Sequence, residues 1–259
     1  MAKFKVLRGC TLNQFLADQM GVSKTKVKNM LDSRTVFVNQ QRVWIAAFHL
    51  RPGDIVEAIA PQSKQEHTVL FEDPFFVVVN KPAGIVTNGE HSLESRLQKK
   101  YPTLQAIHRL DKDTSGVVLF AKSKTIFESM KELFKQKDVF KEYQALVAGS
   151  ISRSQTITAP IDGESAVSHL TVVKQHVGYT HIRVQIETGR KHQIRIHCAQ
   201  IGHPVLGEKQ YVLHPIGDAR LRAIPRQMLH AACIRFMHPE TKALVSFTAP
   251  LPDDFRKLI

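Results

Sequence analysis

HRLDKDTSGVVLFA (His108–Ala121) sets five charged or titratable side chains, His108, Arg109, Asp111, Lys112 and Asp113, directly before an unbroken apolar run. A short apolar run that follows turn residues reads as a strand buried on both faces. The charged stretch is then a loop at the end of a core strand, where a rigid sheet can hold a carboxylate steady against a substrate. Without a function, the same stretch is a solvated loop whose Asp and Ser side chains cap a turn.

The segments on either side extend this pattern. TVLFED, FFVVVN, YQALVAG, LTVVKQ, HIRVQIE and ALVSFTA read as strands, and in HIRVQIE the apolar Ile182, Val184 and Ile186 alternate with Arg183, Gln185 and Glu187. Three helices are expected: SLESRLQKKY (92–101), KTIFESMKELFKQ (124–136) and RKHQIRIHCAQIG (190–202), the last with Ile194, Cys198 and Ile201 as its apolar stripe and Gly202 as its stop. Strands and helices do not alternate regularly, so the fold class is α+β with a mainly antiparallel, mixed sheet.

The first sixty residues form a separate pattern. TLNQFLADQMG predicts a helix capped by Thr11, buried through Leu12, Phe15 and Leu16, and ended by Gly21. SKTKVKNMLDS predicts a second, capped by Ser23, with Val27, Met30 and Leu31 inward and Lys24, Lys26 and Lys28 toward solvent. VFVN, RVWIAA and DIVEAIA follow as short strands around the turn RPGD, and PQSKQEH (61–67) has the look of a linker. The expected organisation is a small basic α/β module over 1–62 and a larger domain over 63–259.

The chain of 259 residues carries 36 Lys and Arg against 23 Asp and Glu, a net charge of +13. Residues 1–60 hold nine of those cations against four acids, a charge density about twice that of the remainder. A polyanionic partner gripped through the front module fits this distribution, and surplus lysine for solubility is the plainer reading. Three scattered cysteines make neither a C-x-x-C metal site nor a disulfide framework, which points to reduced thiols and a cytoplasmic location. No stretch reaches the roughly 18 apolar residues of a membrane span.

A second polar cluster, ETGRKHQIRIH (187–197), places Arg190 and Arg195 beside a helix stripe that must face the core. Guanidinium groups there need partners, and an aspartate from the first cluster would suit one of them. His192 and His197 invite a metal reading, but five helical residues turn them about 140° apart, too far round for one ion.

The quoted clusters, with NKPAGIVTN (80–88), KEYQALVAG (141–149), IGHPVLGEKQY (201–211) and LHAACIRFMHP (229–239), resemble the RluA-type pseudouridine synthases, which isomerise uridine in structured RNA. Residues 11–60 more loosely resemble the small RNA-binding domain first described in a ribosomal small-subunit protein, with Thr35 and Asn39-Gln40 where that domain usually has Gly and Asn-Gly. Between API (159–161) and ESAVSHL (164–170) the synthases usually carry a longer, RNA-facing hairpin.

The resemblance implies a central RNA-binding cleft and cofactor-free, metal-free chemistry. It places the catalytic carboxylate on Asp111, which either attacks the anomeric carbon or takes a proton from its neighbour. Arg195 would pair with Asp111, with Arg190 as second choice. Tyr143 would stack on the target uracil, against a plain reading as a core tyrosine, and Arg109 would fill the gap left by the flipped base. His108, Arg190 and Lys81 are expected substrate contacts, joined by Lys24, Lys28 and Arg34 of the front module. The partner is ribosomal or transfer RNA, and no obligatory protein partner is implied. The rival readings are a non-catalytic RNA-binding factor and a hydrolase, the latter wanting a second carboxylate such as Asp113 or Glu187.

Overall fold

The structure, a computed structural model, describes residues 2–32, 35–58, 67–212 and 218–259 and divides into two compact units, residues 1–65 and 66–259. In the first, β1 (Ala2–Lys5) and β2 (Cys10–Thr11) lead into α1 (Leu12–Met20) and α2 (Lys24–Asp32), followed by β3 (Val36–Val38), β4 (Gln41–Arg42), β5 (His49–Leu50) and β6 (Ile55–Ala58). Thr11 accepts a hydrogen bond from the Gln14 N–H and Gly21 closes α1 in the left-handed region. Leu12, Phe15 and Leu16 join Val27, Met30 and Leu31 in one core. RVWIAA departs from expectation: only Arg42 is in a strand, and the carbonyls of Ala46 and Phe48 instead accept from the N–H groups of Asn13 and Leu12. The start of α1 has donors that need partners, and that need takes the segment out of the ladder.

The second unit runs β7 (Thr68–Glu72), β8 (Phe76–Lys81), α3 (Leu93–Leu97), β9 (Gln105–Ala106), β10 (Ser115–Ala121), α4 (Lys124–Gln136), β11 (Phe140–Ala148), β12 (Gln155–Ile157), β13 (Ser168–His176), β14 (Tyr179–Ile186), α5 (Gln193–Gln200), α6 (Ala219–Arg222), β15 (Leu229–Met237), β16 (Leu244–Thr248) and α7 (Asp253–Arg256). One sheet orders them β12-β13-β14-β11-β15-β10-β8-β7, with β16 added to β15 and β9 to β10. Every pairing in it is antiparallel except β10 with β15, which meet in parallel at Ser115↔His230 and Gly116↔Ala231.

The apolar runs are unbroken because the sheet is covered on both sides. Phe76, Val78, Val117 and Leu119 pack under α4 through Ile126 and Met130, while Val77, Val79, Val118 and Phe120 pack on α3 through Leu93 and Leu97. The alternating β14 buries Ile182, Val184 and Ile186 against Ile194 and Cys198 of α5. α3 is shorter than expected, ending at Leu97 with Gln98 as its cap, and α5 is shorter because the first turn of RKHQIRIH is given to a loop that ends in the left-handed residue His192. Among the described residues no helix is long and apolar enough to cross a membrane.

Candidate active site

The sheet explains how the two polar clusters meet. Ala231 of β15 lies opposite Gly116 on one side and Tyr143 of β11 on the other, so one small residue sets the start of β10 beside Tyr143. Gly116 has φ +120°, and a Cβ there would stand 2.1 Å from the Ala231 carbonyl oxygen, so no other residue allows this approach. A register shift between Glu142 and Tyr143 adds a local bulge, the device by which strands re-aim a side chain.

The loop before Gly116 is pinned from beneath. The Thr87 hydroxyl donates to the Leu110 carbonyl and accepts from its N–H, both at 3.0 Å. Gly84 N–H donates to the Lys112 carbonyl at 2.7 Å, and Arg226 Nη1 to that of Asp113 at 3.3 Å. Lys81 is fully buried, its Nζ reaching the carbonyls of Pro82, Ile85 and Lys112 at 3.2, 2.7 and 3.2 Å. Burial pulls its ammonium down to about 7, against the carboxylates of Asp113 and Asp111. This corrects the expectation that Lys81 contacts substrate: it is an internal strut of the Asp111 loop.

Asp111 lies in the cleft wall, its Oδ2 2.9 Å from Arg195 Nη1 and its Oδ1 3.6 Å from His192 Nε2. Arg195 in turn gives Nε and Nη2 to the Oε2 and Oε1 of Glu208, at 2.6 and 2.9 Å. Glu208 Oε1 also accepts from the N–H groups of Lys209 and Gln210, both at 2.8 Å. Burial works to raise the Glu208 carboxyl, but Arg195 and the backbone donors outweigh it and hold it below the ordinary carboxylate value. Tyr211 covers the group, its ring 5.1 Å from the Arg195 guanidinium and its hydroxyl 2.8 Å from His192 Nδ1.

Arg109, Tyr143 and Arg190 share the cleft lining with Asp111, His192 and Arg195. Burial and the Asp111 charge raise the Tyr143 phenol above its ordinary value, so its proton stays on. Arg190 does not pair with Asp111: its Nη1 meets Glu164 and its Nε donates to the Ser165 carbonyl at 3.0 Å. Both partners follow the two-residue turn Asp162-Gly163, which closes the 159–170 segment with both residues at positive φ.

The remaining expected contacts do not line this cleft or lie outside the described residues. His108 turns into the core, accepting from Leu119 N–H at 3.1 Å and stacking on Phe134, and burial pulls it down to about 3. It is a packing residue, which corrects its expected role as a substrate contact. His197 is likewise internal, between Ser168 Oγ and the Ala159 carbonyl. Lys24 and Lys28 are exposed on α2, and Arg34 lies outside the described residues.

Comparison with known proteins decides what this cleft belongs to. Residues 75–200 match the family model described as RNA pseudouridylate synthase. The RNA pseudouridine synthase YlyB of Bacillus subtilis is 33% identical over 96% of this chain and 92% of its own length. The chain belongs to the RluA-type RNA pseudouridine synthases.

Further relatives of this synthase include the ribosomal large subunit pseudouridine synthase D of Pseudomonas aeruginosa, 31% identical over 86% of the chain and 84% of that protein. Among solved structures, human RNA pseudouridylate synthase domain containing 1 superposes with a TM-score of 0.63 at 27% identity, covering 74% of this chain and 86% of the other. The synthase is an isomerase that turns uridine in RNA into pseudouridine, within the α+β fold described above.

Sequence reasoning missed three residues around the Asp111–Arg195 pair. Glu208 and Tyr211 stand in the quoted IGHPVLGEKQY, and His192 stands between Arg190 and Arg195, but only the fold brings Glu208 and Tyr211 to Arg195 and His192 to Asp111. The one available signal was charge: a second buried guanidinium partner must be found somewhere, and Glu208 follows Gly207, whose φ is +78° and where a Cβ would stand 1.8 Å from the Arg226 carbonyl oxygen.

Proposed function

We propose that this synthase acts on ribosomal RNA of the large subunit, with Asp111 as its catalytic carboxylate. The observation that carries the assignment is the Arg195–Asp111 pair, which fixes a carboxylate in the wall of a cleft shared with Tyr143. Making pseudouridine requires the sugar–nitrogen bond to break, the base to turn and a carbon bond to form, with no water or metal to activate. For the step at the sugar, one oriented carboxylate serves, as nucleophile or as base. Tyr143 offers a ring on which an extruded uracil can stack, an interaction of roughly 1–3 kcal/mol, and Arg109 is exposed at the cleft to take the vacated place. Ribosomal RNA is favoured because relatives that align over most of the chain carry the large-subunit name.

In the same reading the front unit is an RNA grip, supported by its charge and by the exposed Lys24 and Lys28. The test is site-by-site mapping of pseudouridine, by carbodiimide-dependent reverse-transcriptase stops, in total RNA from wild-type, deletion and Asp111→Asn strains. Loss of the same large-subunit sites in both altered strains is expected. Loss confined to transfer RNA would move the substrate, and sites retained in Asp111→Asn would remove Asp111 from the chemistry.

A further inference from the structure

The reaction demands more of the cleft than one carboxylate. When C5 of the uracil joins the sugar carbon, that C5 carries both the new bond and its original hydrogen, and the ring nitrogen N1 lacks one. Completion requires the C5–H bond to break, its electron pair to restore the C5=C6 double bond, the N1=C6 pair to return to N1, and N1 to take up a proton. The net change moves one proton from carbon to nitrogen, and a group in the cleft must receive it at C5.

Six titratable side chains among the described residues line the cleft: Arg109, Asp111, Tyr143, Arg190, His192 and Arg195. Three are guanidinium groups that hold their protons throughout. Tyr143 keeps its phenolic proton, and Asp111 is engaged with the sugar. His192 remains. We propose that His192 is the proton acceptor for uracil C5, an inference that rests on the Asp111 reading above.

The geometry suits the role. With Nδ1–H donated to the Tyr211 hydroxyl 2.8 Å away, the Nε2 lone pair faces the Asp111 side of the cleft. A proton arriving on Nε2 meets the Asp111 carboxylate oxygen 3.6 Å away, which stabilises the imidazolium. That proton then passes to N1 or to solvent, N1 taking one in exchange, and the imidazole is restored. The groups that set the balance are known by position: burial lowers the basicity of His192, Asp111 and Glu208 raise it, and Arg195 and Lys191 lower it. The imidazole is therefore neutral, as a base must be, before the proton comes. His192 is also a left-handed residue at the head of α5, held there by the Gln193 side chain, which accepts from Arg190 N–H and donates to the Val167 carbonyl.

The experiment uses total RNA from a deletion strain grown on protiated or C5-deuterated uracil, so that the enzyme's own target is present in both forms. The full-length wild-type and His192→Gln proteins are compared for pseudouridine formation at the sites the wild-type modifies. His192→Gln is expected to lose at least about a hundredfold in rate, the scale of a lost general base, with RNA affinity unchanged and a deuterium effect clearly above that of the wild-type. A rate within threefold of wild-type, or a slow variant with an unchanged isotope effect, overturns the proposal. Failure of the underlying reading is separate, because it is read in Asp111→Asn, which must form no pseudouridine on either RNA.

Discussion

Glu208 grips Arg195 through both carboxylate oxygens, and the remaining Arg195 nitrogen, Nη1, reaches Asp111 at 2.9 Å. The Glu208 side chain has no exposed surface, so the order of charges from core to cleft is negative, positive, negative. Arg195 alone would be a cation buried at a cost of several kcal/mol. Glu208 neutralises it from behind and fixes its plane, and Asp111 receives an oriented donor at the cleft.

Removing Glu208 separates stability from chemistry. Glu208→Ala leaves a buried guanidinium short of a partner and is expected to cost about 3–5 kcal/mol in urea unfolding. Glu208→Gln retains an oxygen for the Lys209 and Gln210 N–H groups and should fold. Its single-turnover rate should fall by tenfold or more while RNA affinity stays near wild-type. A Glu208→Gln protein with full activity would show that Asp111 orients itself.

Gly116→Ala tests the close approach on which the cleft is built. The added methyl collides with Ala231 backbone at a left-handed φ, so strain and overpacking together should cost about 3 kcal/mol. Tm from thermal unfolding should drop accordingly. Gly21→Ala, with the same kind of φ but open space around the Cβ, should cost less.

Buried neutral histidines make the fold acid-sensitive. Burial holds His108 near 3 and, together with neighbouring cations, His181 and His230 near 4, below their ordinary 6.5. Between those values the unfolded chain binds protons that the native chain does not, so stability is full above pH 6.5 and falls as pH drops toward 4. Urea midpoints at pH 7, 6 and 5 should decline in that order. His230→Gln, which loses one of these groups between Ser115 and the Ala249 carbonyl, should flatten the decline while lowering stability at pH 7.

The front unit should act through charge. Lys24→Ala/Lys28→Ala in the full chain is expected to weaken RNA binding and to reduce the slope of log affinity against log salt by about 0.9 for each phosphate that is no longer neutralised. The turnover of bound RNA should not change. An unaltered slope would mean that these lysines face water alone.

Much of this was readable before the fold was known, and the exceptions share a cause. α4 spans Lys124–Gln136, the full extent of the expected helix, because Ser123 caps it and its apolar spacing is regular. β15 escaped notice as a strand, since Leu229–Met237 is rich in small residues and has no clean alternation. Its Ala231 is small because two strands must close on it, which is a fact about neighbours and not about the segment. Lys81 and His108 were misplaced for the same reason: a lysine or histidine at a strand end looks like a surface contact until three carbonyls, or Leu119 N–H and Phe134, are found around it.

The amino-acid sequence by itself determined most of the strands and the longer helices, the two units' separate apolar patterns, the family and the pairing of an aspartate with a helix arginine. Those follow from period, caps and residue chemistry, which are local. Which aspartate oxygen faces Arg195, that Glu208 stands behind it, that His192 and Tyr211 close the other side, and that Lys81 is a strut were decided only by tertiary structure. They depend on groups far apart in the chain meeting across β10, β11 and β15, and a buried charge finds its partner by position in space.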